Sequence, residues 1–332
     1  MKISERSMKK ILLIRFSSIG DLVLTTPVIR ALSQQIKESE IHFLTKKRFV
    51  GILENNPYLT KIHGFEKDLK EVILQLKEEK FDLVIDLHKN LRSNLVKINL
   101  GVKSISFDKL NFEKWLIVNL KINRLPEKHI VDRYFEMLKP LGIKNDFLGL
   151  DYFEGDKNSK IKEKLPEQFQ TDYVVFALAG TYFTKKIPFE KWLEMAKLSP
   201  LPILLLGGSG EKELGEKLMR ETLKQAVFNG CGNFNLNQSA ALIREAEMVI
   251  TGDTGLMHIA AAYKKKTVSL WGNTIPEFGM YPYMPQNTER IIILENKDLA
   301  CRPCSKLGYD KCPKGHFDCM MQLDVSNVFR QI

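Results

Sequence analysis

The stretch MVITGDTGLMHIAAA (residues 248–262) decides the fold of this chain. Its first three residues are apolar and predict a short buried strand, whereas Leu256 and Ile259 recur at helical spacing. Gly252 and Gly255 allow a sharp turn between the two elements. A strand that turns tightly at glycines into a helix is the repeating unit of a doubly wound α/β domain.

The same turn predicts a site for an anion. The N–H groups at the start of a helix lack partners within the helix, and the helix dipole adds partial positive charge there. Asp253, Thr254, Gly255 and His258 surround that helix start. A carboxylate, a hydroxyl and an imidazole together can hold a ribose, a phosphate and a leaving group. A plain helix cap is the alternative interpretation for Asp253 alone.

The length of the chain predicts two domains, because it has 332 residues, of which 44% are hydrophobic. Its apolar runs fall short of the roughly 18 residues that a membrane-spanning helix needs. The polar and basic residues 1–10 precede an apolar run, residues 11–14, that is too short for a signal peptide. We therefore expect a cytoplasmic protein.

The positive charge is concentrated in the first half of the chain. The net charge is +10, and residues 1–166 contain 31 Lys and Arg against 22 Asp and Glu, a difference of +9. Such a half is expected to meet an acidic membrane surface, a phosphorylated glycan or a nucleic acid. A solubilising, lysine-rich surface is the alternative.

Four of the five cysteines lie in one C-terminal segment. The pair separated by two residues resembles half of a zinc site, although the further spacing is not that of a standard zinc ribbon. A reducing cytoplasm disfavours disulfides, so reduced structural thiols are the favoured interpretation and zinc the alternative. The ligands for zinc would come from Cys301, Cys304, Cys312, Cys319 and His316. Cys231 stands alone and is expected to be a small buried residue.

The first half contains two strands that are followed by polar loops. Residues 10–15 predict a buried strand followed by a helix at 22–35, and residues 81–87 predict a strand that ends in the loop 88–93. Ligands of open α/β sheets bind beyond the carboxyl ends of strands, so these loops are expected on one rim. The rim residues are Ser17, Ser18, Asp21, His88, Lys89 and Arg92.

The remaining signals complete two domains of alternating strands and helices. In the first half, strands are predicted at 41–44 and 61–65, and helices at 69–77 and from 129 onward. In the second half, the predicted strands are 173–177, 203–206 and 267–270, and the predicted helices are 189–198, 211–223 and 235–245. A charged linker at 145–171 separates them, which predicts domains of residues 1–160 and 161–332.

Two such domains predict a cleft that can transfer a sugar from a nucleotide diphosphate. Asp21 is the candidate base for the acceptor hydroxyl, with a helix N-cap as its alternative. Lys185 is the candidate cation for the departing diphosphate, although Lys186 lies next to it. Asp82 and Asp86 do not form a metal-binding DxD pair, so we expect a transfer that needs no metal and no cofactor. The sequence contains neither GxGxxG nor a phosphate loop.

Three motifs together resemble the bacterial heptosyltransferase family, glycosyltransferase family 9. They are IRFSSIGD (residues 14–21) with Thr26-Pro27, KKIP (residues 185–188) and GDTGLMH (residues 252–258). The resemblance implies a GT-B fold, in which two Rossmann-like domains face a central cleft. It also implies an inverting transfer of heptose from ADP-heptose to the inner core of lipopolysaccharide.

The resemblance also assigns roles to individual residues. Asp21 matches the family's proposed base, and Lys185 matches its nucleotide-site lysine, although Ile187 replaces the usual aromatic residue before the proline. The predicted nucleotide-sugar site comprises Thr181, Lys185, Glu211, Asp253, Thr254, Gly255 and His258. The predicted acceptor site comprises Ser17, Ser18, Gly20, Lys89 and Arg92. An anionic, lipid-linked acceptor such as lipid A with its core sugars fits the basic first half.

Other functions remain open at this point. The donor can be another nucleotide sugar, or the chain can be a nucleotide- or nucleic-acid-binding module without transfer activity. No RNA- or DNA-binding motif accompanies the basic charge, so no nucleic-acid partner is expected. Residues 107–120, which include Phe112, Trp115, Leu116 and Val118, either touch the inner membrane peripherally or pack in a core.

Overall fold

The computed structural model describes residues 9–222 and 226–330, which form two compact units. Of these residues, the first unit comprises 9–109 and 128–153, and the second comprises 110–127, 154–222 and 226–330. The sequence predicts one boundary at residue 160, whereas in the structure the segment 110–127 groups with the second unit. Each unit is built around one parallel sheet.

The sheet of the first unit has five parallel strands in the order β3-β2-β1-β4-β5. Its central strand β1 is buried along most of its length, which is why the run ILLI (residues 11–14) is wholly apolar. Ile14 at its end pairs with Leu44 on one side and Asp86 on the other. The strands are β1 (Lys10–Ile14), β2 (Glu40–Lys46), β3 (Lys61–Phe65), β4 (Leu83–Asp86) and β5 (Ser104–Ser106).

Six helices occur between residues 19 and 138. They are α1 (Ile19–Val23), α2 (Thr26–Gln35), α3 (Lys70–Glu78), α4 (Leu91–Leu100), α5 (Asn111–Leu120) and α6 (Ile130–Leu138). The single helix predicted at 22–35 is therefore two helices. The hydroxyls of Thr25 and Thr26 donate to the carbonyls of Leu22 and Val23, and Pro27 has no N–H to continue the helical ladder.

Helix α4 was not predicted, because its first residues read as the end of the polar loop 88–93. Asn90 caps it by accepting a hydrogen bond from the Ser93 N–H at 2.8 Å. Gly101 ends it in the left-handed conformation with φ of 65°. These two residues are a capping signal that the sequence does contain.

The sheet of the second unit has six parallel strands in the order β11-β10-β9-β6-β7-β8. The strands are β6 (Val174–Ala177), β7 (Ile203–Leu206), β8 (Val227–Asn229), β9 (Met248–Gly252), β10 (Lys266–Trp271) and β11 (Ile291–Glu295). The helices are α7 (Phe189–Leu198), α8 (Lys212–Glu221), α9 (Leu236–Glu245), α10 (Gly255–Ala262) and α11 (Asp318–Met321). The predicted end of α8, Leu223, lies outside the described residues.

Short 3-10 turns connect many of these elements. They are Lys47–Ile52, Lys139–Leu141, Asp156–Asn158, Ile161–Lys164, Glu167–Phe169, Phe183–Lys185, Ser209–Glu211, Pro276–Phe278 and Thr288–Arg290. Three of them lie in the predicted linker 145–171. Among the helices of residues 9–222 and 226–330, none has the length and apolar character needed to cross a bilayer.

Candidate functional site

The turn after β9 has the predicted form, because the strand ends at Gly252 and α10 begins at Gly255. The N-cap residue of α10 is Thr254, so Asp253 is not the cap. The Asp253 carboxylate instead accepts hydrogen bonds from Lys185 Nζ at 2.5 Å and from the Thr274 hydroxyl at 3.0 Å. The turn therefore places a cation beside the start of a helix.

The two neighbouring lysines have different partners. Lys185 forms an ion pair with Asp253, and both side chains are largely buried. Lys186 lies 3.3 Å from Glu211, whose other carboxylate oxygen accepts the Gly208 N–H at 3.0 Å. Lys185 is thus the lysine that belongs to the turn after β9, while Lys186 belongs to the turn after β7.

Two glycines allow the loop that carries Lys185 to approach the sheet. A Cβ at Gly252 would lie 2.9 Å from the carbonyl oxygen of Lys185, and a Cβ at Gly272 would lie 2.6 Å from that of Thr184. Gly252 ends β9 and Gly272 directly follows β10, its neighbour in the sheet. Side chains there would displace the loop, so the missing Cβ atoms set the position of Lys185.

Of the other residues predicted for the nucleotide sugar, Thr254, Gly255 and His258 lie at this turn, whereas Glu211 lies at the turn after β7 and Thr181 lies in the loop after β6. The Thr254 and Thr251 hydroxyls are 3.0 Å apart, and His258 is buried one turn into α10. Glu211 precedes α8 and is held by Lys186 as described above. Thr181 is exposed in the loop that precedes the Phe183–Lys185 turn.

Two residues that support the turn were missed by the sequence analysis. Thr184 is buried, accepts the Tyr309 N–H at 2.8 Å and donates its own N–H to the Tyr309 carbonyl at 3.1 Å. Arg302 donates to the carbonyls of Gly272 at 2.6 Å and Thr274 at 2.9 Å. Their partners are distant in sequence, so no local pattern indicates these contacts.

In the first unit, Asp21 lies in the first turn of α1. The N-cap residue is Ser18, and Asp21 Oδ2 accepts its N–H at 2.9 Å and its hydroxyl at 2.8 Å. The other carboxylate oxygen forms an ion pair with Arg15. Arg15 is buried and also donates to the carbonyls of Leu87 at 2.6 Å and Ser17 at 2.9 Å. Asp21 therefore contributes to helix capping and is also oriented by a buried guanidinium.

The buried carboxylate of Asp86 shapes the loop that carries Lys89. It accepts the N–H groups of His88 at 2.9 Å and Lys89 at 2.7 Å, the Ser93 hydroxyl at 2.8 Å and Lys97 Nζ at 2.9 Å. These contacts satisfy the carboxylate with groups of its own loop and helix. The structure thus gives Asp86 a structural role.

Arg92 lies beside a basic depression at the carboxyl ends of β2 and β3. Its guanidinium is 5.1 Å from the centre of the Phe65 ring and donates to the Lys67 carbonyl at 2.6 Å. The depression has a volume of about 640 Å³. It is lined by Lys46, Lys47, Arg48, Phe65, Glu66, Lys67 and Arg92, five cations against one carboxylate. The run KKR (residues 46–48) after a predicted strand is the sequence signal for it.

Comparison with known proteins identifies the family of this architecture. The model of glycosyltransferase family 9 (heptosyltransferase) matches residues 70–309. The chain belongs to glycosyltransferase family 9. Lipopolysaccharide heptosyltransferase 1 of Campylobacter coli is 23% identical over 295 residues, which cover 80% of this chain and 84% of that protein.

Solved structures with the same fold agree with this assignment. The family 9 glycosyltransferase of Veillonella parvula has a TM-score of 0.74 at 22% identity, over 90% of this chain and 89% of that one. The ADP-heptose lipopolysaccharide heptosyltransferase II of Escherichia coli has a TM-score of 0.68 at 19% identity, over 94% and 98%. The predicted class, two Rossmann-like α/β units of the GT-B type, is confirmed, and the chain is a glycosyltransferase.

The cysteines of this family 9 glycosyltransferase are free thiols. Cys319 is buried in the core of the second unit, where burial, together with the other tail thiols, raises its pKa to about 12. Burial also raises the pKa of Cys304, with Cys301 and Cys312 adding to the effect. Cys319 and Cys304 therefore stay protonated at neutral pH.

Proposed function

We propose that this glycosyltransferase moves heptose from ADP-heptose to the inner core of lipopolysaccharide, with inversion at the transferred carbon. Asp21 is the general base, Lys185 stabilises the departing diphosphate, and neither a metal nor a cofactor is required. The observation that supports this most is the Lys185–Asp253–Thr274 arrangement at the start of α10. We propose the donor and the acceptor by analogy with the Escherichia coli ADP-heptose lipopolysaccharide heptosyltransferase II, whose fold is similar.

On the donor side, negative charge grows on the diphosphate as the sugar leaves. A preplaced ammonium and the N–H groups at the start of α10 stabilise that charge without reorganising during the reaction. Asp253 holds Lys185 in place before the donor arrives, and the donor's diphosphate then shares the ammonium. We assign phosphate contacts to Thr181, Thr254, Gly255 and His258, and a ribose contact to Glu211.

On the acceptor side, Asp21 removes the proton of the attacking hydroxyl. Burial alone would lower the pKa of Arg15, but the nearby carboxylates of Asp21 and Asp86 raise it above its ordinary value. The guanidinium therefore stays charged and fixes the direction of the Asp21 carboxylate. We assign the acceptor to Ser17, Ser18, Gly20, Lys89 and Arg92, because the basic depression beside Arg92 suits an anionic saccharide.

The decisive experiment measures heptose transfer from ADP-heptose to a heptose-free core acceptor. Asp21→Asn is expected to lower kcat by about 10²- to 10⁴-fold, because general-base catalysis contributes that much. Asp82→Asn is the matched control, since among the described residues the Asp82 carboxylate accepts only the main-chain N–H groups of Lys9 and Lys10. Near-normal turnover of Asp21→Asn would show that the base is assigned wrongly.

The stereochemistry, the donor and the metal requirement are tested in the same assay. The anomeric configuration of the product, read by NMR, is expected to be opposite to that of the donor. ADP is expected to raise the melting temperature more than UDP does. Activity is expected to survive EDTA, and its abolition would refute the metal-independent mechanism.

We also propose that the enzyme works at the inner face of the cytoplasmic membrane, because the proposed acceptor is lipid-linked, and that α5 makes the contact. The rings of Phe112 and Trp115 are mostly exposed and lie nearly parallel, with centres 6.5 Å apart. Leu116 and Ile117 of the same helix are buried. Exposed aromatic rings on an amphipathic helix suit the lipid–water boundary.

Flotation with vesicles that contain anionic lipid tests the membrane contact. The wild type is expected to float at low salt, and the double variant Phe112→Ser with Trp115→Ser is expected to float several-fold less. Leu74→Ser, which removes an exposed leucine from α3, is the control. Absence of wild-type binding at low salt would end the proposal.

A further inference from the structure

Two histidines and one glutamate meet in the first unit, away from the residues discussed above. His42 lies in β2, His63 lies in β3, and Glu79 directly follows α3. His42 Nδ1 is 3.0 Å from His63 Nε2 and 4.0 Å from Glu79 Oε2. One ligand atom from each residue lies within 4.8 Å of the others. Both imidazoles are almost completely buried.

This cluster lies toward the amino ends of the strands. His42 pairs in register with Lys61, the first residue of β3, and Glu79 contacts Lys10, the first residue of β1. Asp21 and Lys89, in contrast, follow the carboxyl ends of β1 and β4. The cluster therefore lies apart from the proposed transfer chemistry, and the transfer mechanism does not use it.

We propose that His42 Nδ1, His63 Nε2 and Glu79 Oε2 bind one divalent transition-metal ion of the zinc class, which fastens β2, β3 and α3 together. Two imidazoles and a carboxylate are a ligand set that zinc accepts, with water in the fourth position. Tetrahedral zinc with bonds of 2.0–2.1 Å holds neighbouring ligand atoms about 3.3 Å apart. The 3.0 Å between the two ring nitrogens is already close to that distance.

The surroundings of the ligands are those of a supported metal site. His42 Nε2 lies 3.7 Å from Glu40 Oε2, so a small movement gives the imidazole a carboxylate partner on its other nitrogen. Both rings pack edge-on against Phe81, which fixes their planes. The rings cannot turn away from the common point without disrupting that packing.

The protonation states also suit ligation. Burial lowers the pKa of His42, and burial together with His42 and Lys61 lowers the pKa of His63 to about 4. Hydrogen bonds from Lys61 and Lys10 lower the pKa of Glu79 to about 2. At neutral pH the imidazoles are therefore neutral and the carboxylate is ionised, as metal ligands must be.

Two lysines compete with the metal for Glu79. Lys61 Nζ lies 2.6 Å from Oε1, and Lys10 Nζ lies 2.9 Å from Oε2. Lys10 also pairs with Glu40 at 3.0 Å, so it keeps a partner when a metal takes Glu79. Lys61 is more than half exposed and can turn into solvent. Removing Lys61 should therefore strengthen metal binding. If the cluster were only a structural set of ion pairs, removing Lys61 would lower the stability of the fold and leave metal binding unimproved.

The test uses the full chain, stripped of metal with a chelator and titrated with Co²⁺ and Zn²⁺. We expect one equivalent of Co²⁺ to give visible d–d bands and Zn²⁺ to raise the melting temperature. His63→Gln and Glu79→Gln are expected to weaken binding at least tenfold and to lose the thermal shift. Lys61→Gln is expected to bind severalfold more tightly. The shift is measured within each variant, so a lower starting stability does not hide the result.

Three outcomes would overturn the proposal. The first is no binding by the wild type at equimolar metal. The second is binding that His63→Gln, Glu79→Gln and Lys61→Gln leave unchanged. The third is cobalt binding that shows a thiolate charge-transfer band in the near ultraviolet, because that band would assign the metal to the cysteine segment instead of to His42, His63 and Glu79.

Discussion

The two units hold their candidate catalytic groups by different physical means. In the second unit, Lys185 is positioned by main chain, because its loop approaches the sheet where Gly252 and Gly272 have no side chains. In the first unit, Asp21 is positioned by charge, because the buried guanidinium of Arg15 fixes it. The loop of Lys185 is therefore set by close main-chain packing, with Asp253 holding the ammonium, whereas Asp21 is oriented by a buried guanidinium, so substitutions should affect the two sites differently.

The largest effect on stability is expected from breaking the charged arrangement. Arg15→Met removes the partner of Asp21 and the hydrogen bonds to the Leu87 and Ser17 carbonyls. Breaking a buried ion pair costs about 3–5 kcal/mol, and the partial exposure of Asp21 points to the lower end. Urea unfolding measures the loss. Arg220→Met, on the exposed face of α8, is the control and is expected to change stability by less than about 0.5 kcal/mol.

In the second unit, the largest effect on catalysis is expected from Lys185→Met. Loss of one group that stabilises charge in the transition state lowers kcat by about 10²- to 10³-fold. Lys186→Met is the matched control, because Lys186 pairs with Glu211 and lies outside the turn after β9. Steady-state kinetics with ADP-heptose measures both. A larger loss in Lys186→Met than in Lys185→Met would reverse the assignment of the two lysines.

Gly252→Ala tests positioning by shape. The new Cβ would meet the Lys185 carbonyl oxygen at 2.9 Å, and a main-chain atom can move away only by shifting the loop. We expect a loss of about 1–3 kcal/mol in unfolding free energy and a lower kcat/KM. Gly210→Ala is the control, since a Cβ there would have no atom of the described residues within 4 Å. Equal effects of the two variants would argue against positioning by close approach.

Low pH is expected to destabilise the first unit. Burial lowers the pKa of His63 and His88 to about 4, whereas the unfolded chain titrates near 6.5. The unfolded state binds more protons between these values, so the free energy of unfolding falls as the pH drops from about 6.5 towards 4. Urea unfolding at several pH values, in chelator, measures the slope. The double variant His63→Gln with His88→Gln should flatten it, and an unchanged slope would contradict this explanation.

High pH is expected to destabilise the second unit, by a smaller amount. Burial raises the pKa of Cys231 and Cys319 to about 12, whereas unfolded thiols titrate near 9. The stability they contribute is fully present below about pH 9 and is lost as the pH rises towards 12. Above pH 9, the free energy of unfolding of the double variant Cys231→Ala with Cys319→Ala should depend less on pH than that of the wild type. A steeper dependence would contradict it.

The sequence predicts the parts of the fold whose residues face a core. The run ILLL of β7 and the amphipathic pattern of α7 predict the same bounds that the structure shows. Helix α4 was missed because its first residues read as part of the polar loop 88–93, although Leu91, Leu95 and Ile98 recur at helical spacing. Strands β5 and β8 were missed because each has only three residues, whereas β11 was missed although its run IIIL (residues 291–294) is a strand signal.

The residues of the candidate site also fall into those that the sequence predicts and those that it does not. Residues on one turn, such as Asp253, Thr254 and His258, could be grouped from sequence because neighbours in the chain are neighbours in space. The Arg302 contact to the end of β10 could not be, since the partners are 30 residues apart. The family resemblance selected Lys185, but spacing alone could not decide between Lys185 and Lys186, because only the fold shows which carboxylate each one meets.

The pairing of Thr184 with Tyr309 in both directions has a consequence for evolution. The loop that carries Lys185 is hydrogen-bonded to the C-terminal cysteine segment, and Arg302 of that segment is hydrogen-bonded to Gly272 after β10. Neither segment is therefore expected to change its sequence independently of the other. We expect related proteins that lack this C-terminal segment to carry a different loop before the lysine. A chimaera that takes the loop before Lys185 from a relative should fold stably only when it also takes that relative's C-terminal segment.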